Sequence, residues 1–280
     1  MTRAFSPRTL ADALRVLGDP DLAAVPLAGG TDLMVGLHTR AAPAAVVDVS
    51  RLSELRGVRL DGAVLDVGAA VTFAELGRDP LVLRHAPMLA QAARQVGAWQ
   101  IQNRATLGGN IGTASPAGDS LPVLLALGAE LECASTRGSR RVASASLHRG
   151  YRQLALERDE LIVRVRLPRR RRDAVQVFRK VGTRAAQAVS KVVVAFTFAR
   201  DAARLRDVRL AAGSVAPTPV RLVDAEQACE GARPSAALAA EVAALARAGV
   251  SPIDDVRSTA AYRRWVVGRL VERLILDVVI

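Results

Sequence analysis

Two glycine-rich stretches dominate the first half of this chain: LAGGTD at 27–32 and, about eighty residues later, TLGGNIG at 106–112. Glycine has no Cβ, so the main chain can adopt φ > 0 and a ligand can lie directly against it. Amides turned inward from such a loop form a nest suited to phosphate. Neither stretch matches the Walker pattern GxxxxGK[ST] or the Rossmann pattern GxGxxG. Either one alone also suits a structural turn. Two together, each supplying hydroxyls and amides, suit a diphosphate held between two subdomains.

The surrounding pattern is mixed. Ser6-Pro7 reads as an N-cap with proline at the first helical position. Leu10, Ala13, Leu14 and Leu17 then follow helical spacing up to Gly18. Short strands are expected at 24–28, 45–49 and 63–68, helices over 72–76 and 81–96, a short helix near 121–127 and a strand at 129–133. This alternation indicates an α/β or α+β arrangement. The second half changes character. LIVRVRL (161–167) alternates apolar and basic residues as a half-buried strand does, and 174–178, 192–198 and 208–215 are further strands without long helices between them. They suggest an antiparallel meander, followed by helices from 221 to 230, through SAALAAEVAALARA, and from 258 to the end. The arginine run at 169–172, which reads as a solvated loop, is the best boundary between the halves. No repeat of fixed period is present.

The charge balance admits one competing function. A formal net charge of +12 suits nucleic acid, since basic faces gain affinity from counterion release, or an acidic protein partner. Aromatic residues make up only 3%, too few for base stacking, and the basic residues are scattered among acids. Of 39 cationic residues only Lys180 and Lys191 are lysine, so each is a candidate for a position that needs a compact charge. No apolar run reaches the roughly 18 residues of a membrane span. The N-terminus lacks the apolar core of a secretory signal, which makes the cytoplasm the expected compartment. His38, His85 and His148 lack metal-ligand spacing, no GxSxG elbow occurs, and Cys133 and Cys229 form no CxxC motif. Two cysteines are also too few for an iron–sulfur cluster held by this chain alone. The two glycine stretches remain the strongest signal. Asp119, the first charged residue after the second stretch, is placed to accept hydrogen bonds from a sugar or ribityl hydroxyl, and Lys180 to neutralise a nearby anion.

PLAGGTDLMVGL (26–37) and IQNRATLGGNIGTASPAGDSLPVLLALGAEL (101–131) resemble the FAD-binding subunit of molybdenum hydroxylases, the flavoprotein of xanthine dehydrogenases and the medium subunit of aerobic carbon monoxide dehydrogenase. The resemblance continues through GYRQLALERDELIVRVRLP (150–168), FRKVGTRAAQAVSKV (178–192) and AYRRWVVGRLVERLI (261–275), so it covers almost the whole chain in order. It implies an α+β fold. A two-subdomain FAD-binding domain of the vanillyl-alcohol-oxidase (PCMH) type over 1–170, divided roughly at 55/56, would precede a C-terminal domain over 174–280 with a three-stranded antiparallel sheet and a helical bundle. By position, Ala28, Gly29, Gly30, Thr31 and Asp32 would wrap the FAD pyrophosphate with backbone amides. Thr106, Leu107, Gly108, Gly109 and Asn110 would approach it from the other side. Ser115 and Asp119 would bind further along the cofactor, while Ile162 would touch the flavin and Lys180 reach it. Arg184 would lie in a mobile loop beside the flavin, where AAQAV replaces the acidic run of the animal xanthine enzymes. The resemblance further implies a 2Fe–2S subunit and a molybdopterin subunit as partners in a dimer of heterotrimers, with electrons passing through FAD to NAD+, a quinone or oxygen. A free-standing flavin oxidase or reductase is the competing reading, and it would need a base over the flavin that the sequence does not nominate.

Overall fold

The computed structural model describes residues 2–171 and 173–279. The chain opens with β1 (Arg3–Phe5), α1 (Leu10–Gly18), β2 (Ala24–Leu27), the short α2 (Leu33–Gly36) and β3 (Ala45–Asp48). The three strands pair in parallel in the order β1-β3-β2. Helix α1 buries Ala13, Leu14 and Leu17 in the core beneath them. Its cap is Thr9 rather than Ser6-Pro7, because the Thr9 hydroxyl accepts from the Asp12 N–H and the Leu10 N–H is taken by Glu54.

A second layer begins with the hairpin β4 (Val58–Asp61) and β5 (Val64–Gly68). Six helices follow: α3 (Phe73–Leu76), α4 (Pro80–His85), α5 (Pro87–Ala93), α6 (Trp99–Gln102), α7 (Leu107–Thr113) and α8 (Ser120–Leu127). The layer ends with β6 (Glu130–Ser135), β7 (Gly138–Ala143), α9 (Ser144–Leu147), the pair β8 (His148–Gly150) and β9 (Gln153–Leu154), and β10 (Leu161–Pro168). The single helix expected over 81–96 is two, broken at Ala86 (φ −138°, ψ 54°). A residue before proline is driven out of the helical region, and Pro87 then starts α5.

The antiparallel sheet runs β4-β5-β10-β6-β7, which makes β10 its central strand. Its alternation therefore does not mean a wet face. Arg164 is buried, and its Nε donates to Asp66 Oδ1 at 2.6 Å. The fully buried Asp66 also accepts from Arg59 Nε at 3.0 Å. A bulge between Ile162 and Arg164 shifts the side-chain period. Leu161 and Val163 consequently join the N-terminal core, while Ile162, Val165 and Leu167 join the central one. One strand thus ties the N-terminal core to the central one.

The last part holds β11 (Val175–Val181), β12 (Val192–Asp201), β13 (Arg204–Gly213) and β14 (Val220–Arg221), an antiparallel meander in that order. It has four strands rather than three, because two residues after the turn at 214–219 pair back onto β13. Both faces of β12 are buried. Val193 and Ala195 face the central core, while Val192, Val194, Phe196 and Phe198 face α10 (Val223–Cys229), α11 (Ala236–Ala248) and α12 (Ala260–Val279). This explains a continuous apolar run in place of alternation. All eight residues of α8 are buried, wedged between β10 on one side and β12 and β13 on the other. Arg170, read from sequence as part of a solvated loop, is nearly buried and donates to the Asp207 carbonyl at 2.6 Å. Arg172 of the same run lies outside the described residues.

Cys133 and Cys229 are free and buried. Burial pushes their thiols up to about 11 and about 12 respectively. Because the folded state favours the protonated thiol, this contribution to stability is complete below about pH 8.5 and is lost as pH rises through the native values. A thiol reagent at neutral pH should leave the native chain unlabelled and modify both cysteines after denaturation. Labelling of the native protein would contradict the packing.

Candidate cofactor cleft

The two glycine stretches meet across a cleft, and they do so with different chemistry. The segment after β2 carries Gly30 at φ +74°, a conformation that glycine adopts without steric cost. A β-carbon on Gly29 would run into the Arg104 carbonyl, so that glycine allows close contact with the main chain just before the second stretch. Among the described residues, the amides of Gly29, Gly30, Thr31 and Asp32 donate to no protein acceptor. They are the free donors that an anion needs. The exposed Asp32 carboxylate would repel an anion, so its contribution is the backbone N–H.

The second stretch is a helix, not an open loop. Thr106 caps α7, its hydroxyl accepting from Gly109 N at 3.0 Å. The Leu107 and Gly108 amides donate to the carbonyls of Val71 and Ala69 at 3.0 and 2.8 Å. The first three N–H groups of α7 are thereby used within the protein, and the Leu107 side chain is fully buried in the central core. What α7 offers is room. A Cβ on Gly108 would meet Ala69 Cβ at 2.7 Å, so packing accounts for that glycine. A Cβ on Gly112 would meet nothing within 4 Å, and it borders the cleft. Glycine costs about 1 kcal/mol relative to alanine in a helix, and no neighbour in the protein explains its use at this position.

The cleft has two chambers that share a wall which includes Pro26, Ala28, Asp32, Thr106, Gly109 and Thr113. One, of about 540 Å³, is apolar, with Leu33, Leu37, Leu154, Leu156 and Ile162 around it and Arg40 and Arg152 at its edge. The other, of about 400 Å³, is lined by Gly29–Asp32, Val96, Gly97, Asn110, Ser115 and Asp119. Residues 187–189 of the loop after β11 close it, held by the Gln187 amide on the Gly97 carbonyl at 2.8 Å. Arg184 braces this loop by donating to the carbonyls of Ala186 and Gln187. Ile162 and Asp119 therefore face different chambers. Thr113, one residue beyond the sequence motif, borders both and was missed. Residues 187–189 belong to the AAQAV segment that the sequence resemblance sets beside the flavin, although their composition alone carries no signal.

Asp119 and Lys180 form a buried ion pair. Lys180 Nζ donates to Asp119 Oδ2 at 2.6 Å and to the Gln95 carbonyl at 2.8 Å, and each side chain is 7% exposed. Burial pushes the Asp119 carboxyl above its ordinary value, opposed by the Lys180 charge. The lysine expected to neutralise a ligand anion instead neutralises this aspartate, because β11 brings it under the 115–119 turn. Asp119 Oδ1 remains buried without a partner. Asn110 Oδ1 is occupied by the Ser120 hydroxyl at 2.7 Å, whereas the Ser115 hydroxyl, which accepts from Ala117 N at 3.3 Å, keeps its own proton to donate.

Residues 1–170 match the FAD binding domain in molybdopterin dehydrogenase, and residues 177–278 match the CO dehydrogenase flavoprotein C-terminal domain. The chain belongs to the FAD-binding subunits of the molybdenum hydroxylase family. It is 34% identical to the xanthine dehydrogenase FAD-binding subunit of Escherichia coli O157:H7 over 275 residues, covering 97% of this chain and 94% of that one. It is 31% identical to the nicotine 6-hydroxylase medium subunit of Paenarthrobacter nicotinovorans over 278 residues, covering 98% and 96%. Its fold superposes on the carbon monoxide dehydrogenase from Hydrogenophaga pseudoflava with a TM-score of 0.94 at 28% identity, covering 97% and 95%. Among the described residues no helix is long and apolar enough to cross a membrane, and no group of three or more His, Cys, Asp or Glu is placed to hold a metal ion. By its family, this FAD-binding chain is an oxidoreductase subunit.

Proposed function

We propose that the chain carries electrons through FAD within a molybdenum-containing hydroxylase, taking them from a partner with 2Fe–2S clusters and releasing them to NAD+, a quinone or oxygen. The observation that carries this reading is the pairing of unpartnered amides at 29–32 with the unexplained opening at Gly112. A diphosphate fits between them, and each chamber then takes one ring system. Ala28–Asp32 hold the diphosphate. Thr106, Gly108, Gly109 and Asn110 form the opposite wall, to which Leu107 contributes only main chain. Asp119 and the Ser115 hydroxyl, which line the chamber bordered by residues 187–189, suit the ribityl hydroxyls, so the isoalloxazine would lie in that chamber. Ile162, in the apolar chamber, would then meet the adenine end rather than the flavin. Lys180 acts through Asp119 by fixing its charge and position.

When bound, FAD supplies the one- and two-electron redox chemistry, and the protein's task is to bind, orient and shield it. We take 1–170 as the cofactor domain, with subdomains roughly 1–55 and 56–170, and 174–280 as the C-terminal domain. Relatives named for xanthine, nicotine and carbon monoxide are similar to this chain to comparable degrees, 34%, 31% and 28% identity. We therefore assign substrate choice to a molybdopterin partner, in a dimer of heterotrimers. The cytoplasm, where free thiols stay reduced, is the proposed compartment. Purified chain should carry close to one equivalent of FAD, released on denaturation and identified by its visible absorption. A chain that folds but neither retains nor takes up FAD would refute the site.

A further inference from the structure

A third cavity, of about 720 Å³, lies on the outer side of the cofactor cleft and shares Ala28, Gly29 and Thr106 with it. Its lining includes Arg51, Arg56, Arg78 and Arg104. Arg56 is used internally, donating to Glu75 at 2.6 Å and to the Ala70 carbonyl at 2.9 Å. The two acids of the cavity are also engaged: Glu75 completes the capping box of α3, and Asp79 caps α4 by accepting from Leu81 and Val82. Among the described residues Arg51, Arg78 and Arg104 have no carboxylate partner. The guanidinium of Arg78 instead lies 5.0 Å from the ring centroid of Trp99, which is 65% exposed. Exposed tryptophan beside unpaired arginine is the composition of an interface anchor, not of a solvated face.

We infer that this arginine cavity, with the Trp99–Arg78 pair at its edge, is the docking surface for an acidic face of the iron–sulfur subunit. The inference rests on the electron-transfer reading above and adds where the electron donor sits. Three unpaired guanidiniums attract carboxylates and resist a basic partner, which gives both steering and specificity. Because the cavity shares backbone with the cofactor cleft, a partner seated here stands against the wall of the FAD site. A small phosphate-bearing ligand could use the same arginines, but the exposed indole at the edge favours a protein surface.

The test uses the chain co-expressed with its native partners, captured by a tag, with iron and FAD both quantified. Wild-type chain should retain iron at low salt and release it as ionic strength rises. Arg51→Glu and Arg78→Glu should each weaken partner binding at least about tenfold, and Trp99→Ala by about tenfold, with FAD content unchanged. Trp265→Ala, at a separate exposed site on α12, should leave iron retention as in wild type. Undiminished iron in the arginine variants would overturn the inference, as would intact assembly accompanied by loss of inorganic pyrophosphate binding. Wild-type chain that holds FAD but captures no iron at any salt concentration would instead sink the electron-transfer reading itself.

Discussion

Gly112→Leu is expected to abolish FAD retention, weakening binding by at least about a hundredfold, or about 2.7 kcal/mol, while the apo-protein stays folded. A Cβ here meets no protein atom within 4 Å, so the larger side chain enters the cleft and not the core. Leucine is also the better helix former by somewhat under 1 kcal/mol, so the apo-protein should melt no earlier than its parent. Gly112→Ala should raise apo stability by about 0.5–1 kcal/mol for the same reason. The contrast is Gly108→Ala, where the new Cβ lies 2.7 Å from Ala69 Cβ. Overpacking there should cost about 1–3 kcal/mol of fold stability. Gly109 is a poorer test, since a Cβ would lie 2.9 Å from the capping Thr106 hydroxyl and disturb the helix start as well. Flavin content and thermal unfolding of the apo-proteins, measured together, separate these cases. Parent-like FAD binding by Gly112→Leu would show that the ligand does not lie along α7.

Asp119→Ala is expected to destabilise the fold by roughly 3–5 kcal/mol, because it leaves the Lys180 ammonium buried without its counter-ion. From sequence the same change looks like a loss of ligand affinity alone. The structure makes it a joint between the segment leading into α8 and strand β11, with Asp119 preceding α8 and Lys180 on β11. Removing both charges in Asp119→Leu/Lys180→Met should recover most of the stability, yet FAD should still bind poorly because the acceptor at Oδ1 is gone. Chemical denaturation of the single and double variants, alongside FAD titration, tests both halves. A stable single variant would mean that Lys180 finds another partner, and full FAD affinity in the double variant would remove Asp119 from the site.

The glycine stretches were legible because glycine in quantity has few uses, and two such stretches about eighty residues apart need a common partner. Their division of labour was not. Which glycine serves packing and which leaves a space depends on Ala69 and Arg104, residues that only the fold brings close. The amides of TLGG looked available because the carbonyls that consume them, on Val71 and Ala69, come from a separate segment. Lys180 stood out by its rarity, but its partner lies 61 residues away. The alternation in LIVRVRL had a clear period, yet burial of Arg164 depends on Asp66, 98 residues earlier. The break before Pro87, by contrast, follows from a local rule and was available in the sequence.

The central claim is that this chain holds FAD in the two-chamber cleft and receives electrons there from another subunit. The direct measurement is anaerobic bleaching of the bound flavin on addition of purines or aldehydes, with the chain alone and with its native iron- and molybdenum-containing partners. The account predicts that the isolated chain keeps its oxidised flavin spectrum and that the assembled complex bleaches with its substrate. Bleaching of the isolated chain by substrate would contradict it and make the protein a free-standing flavin oxidoreductase.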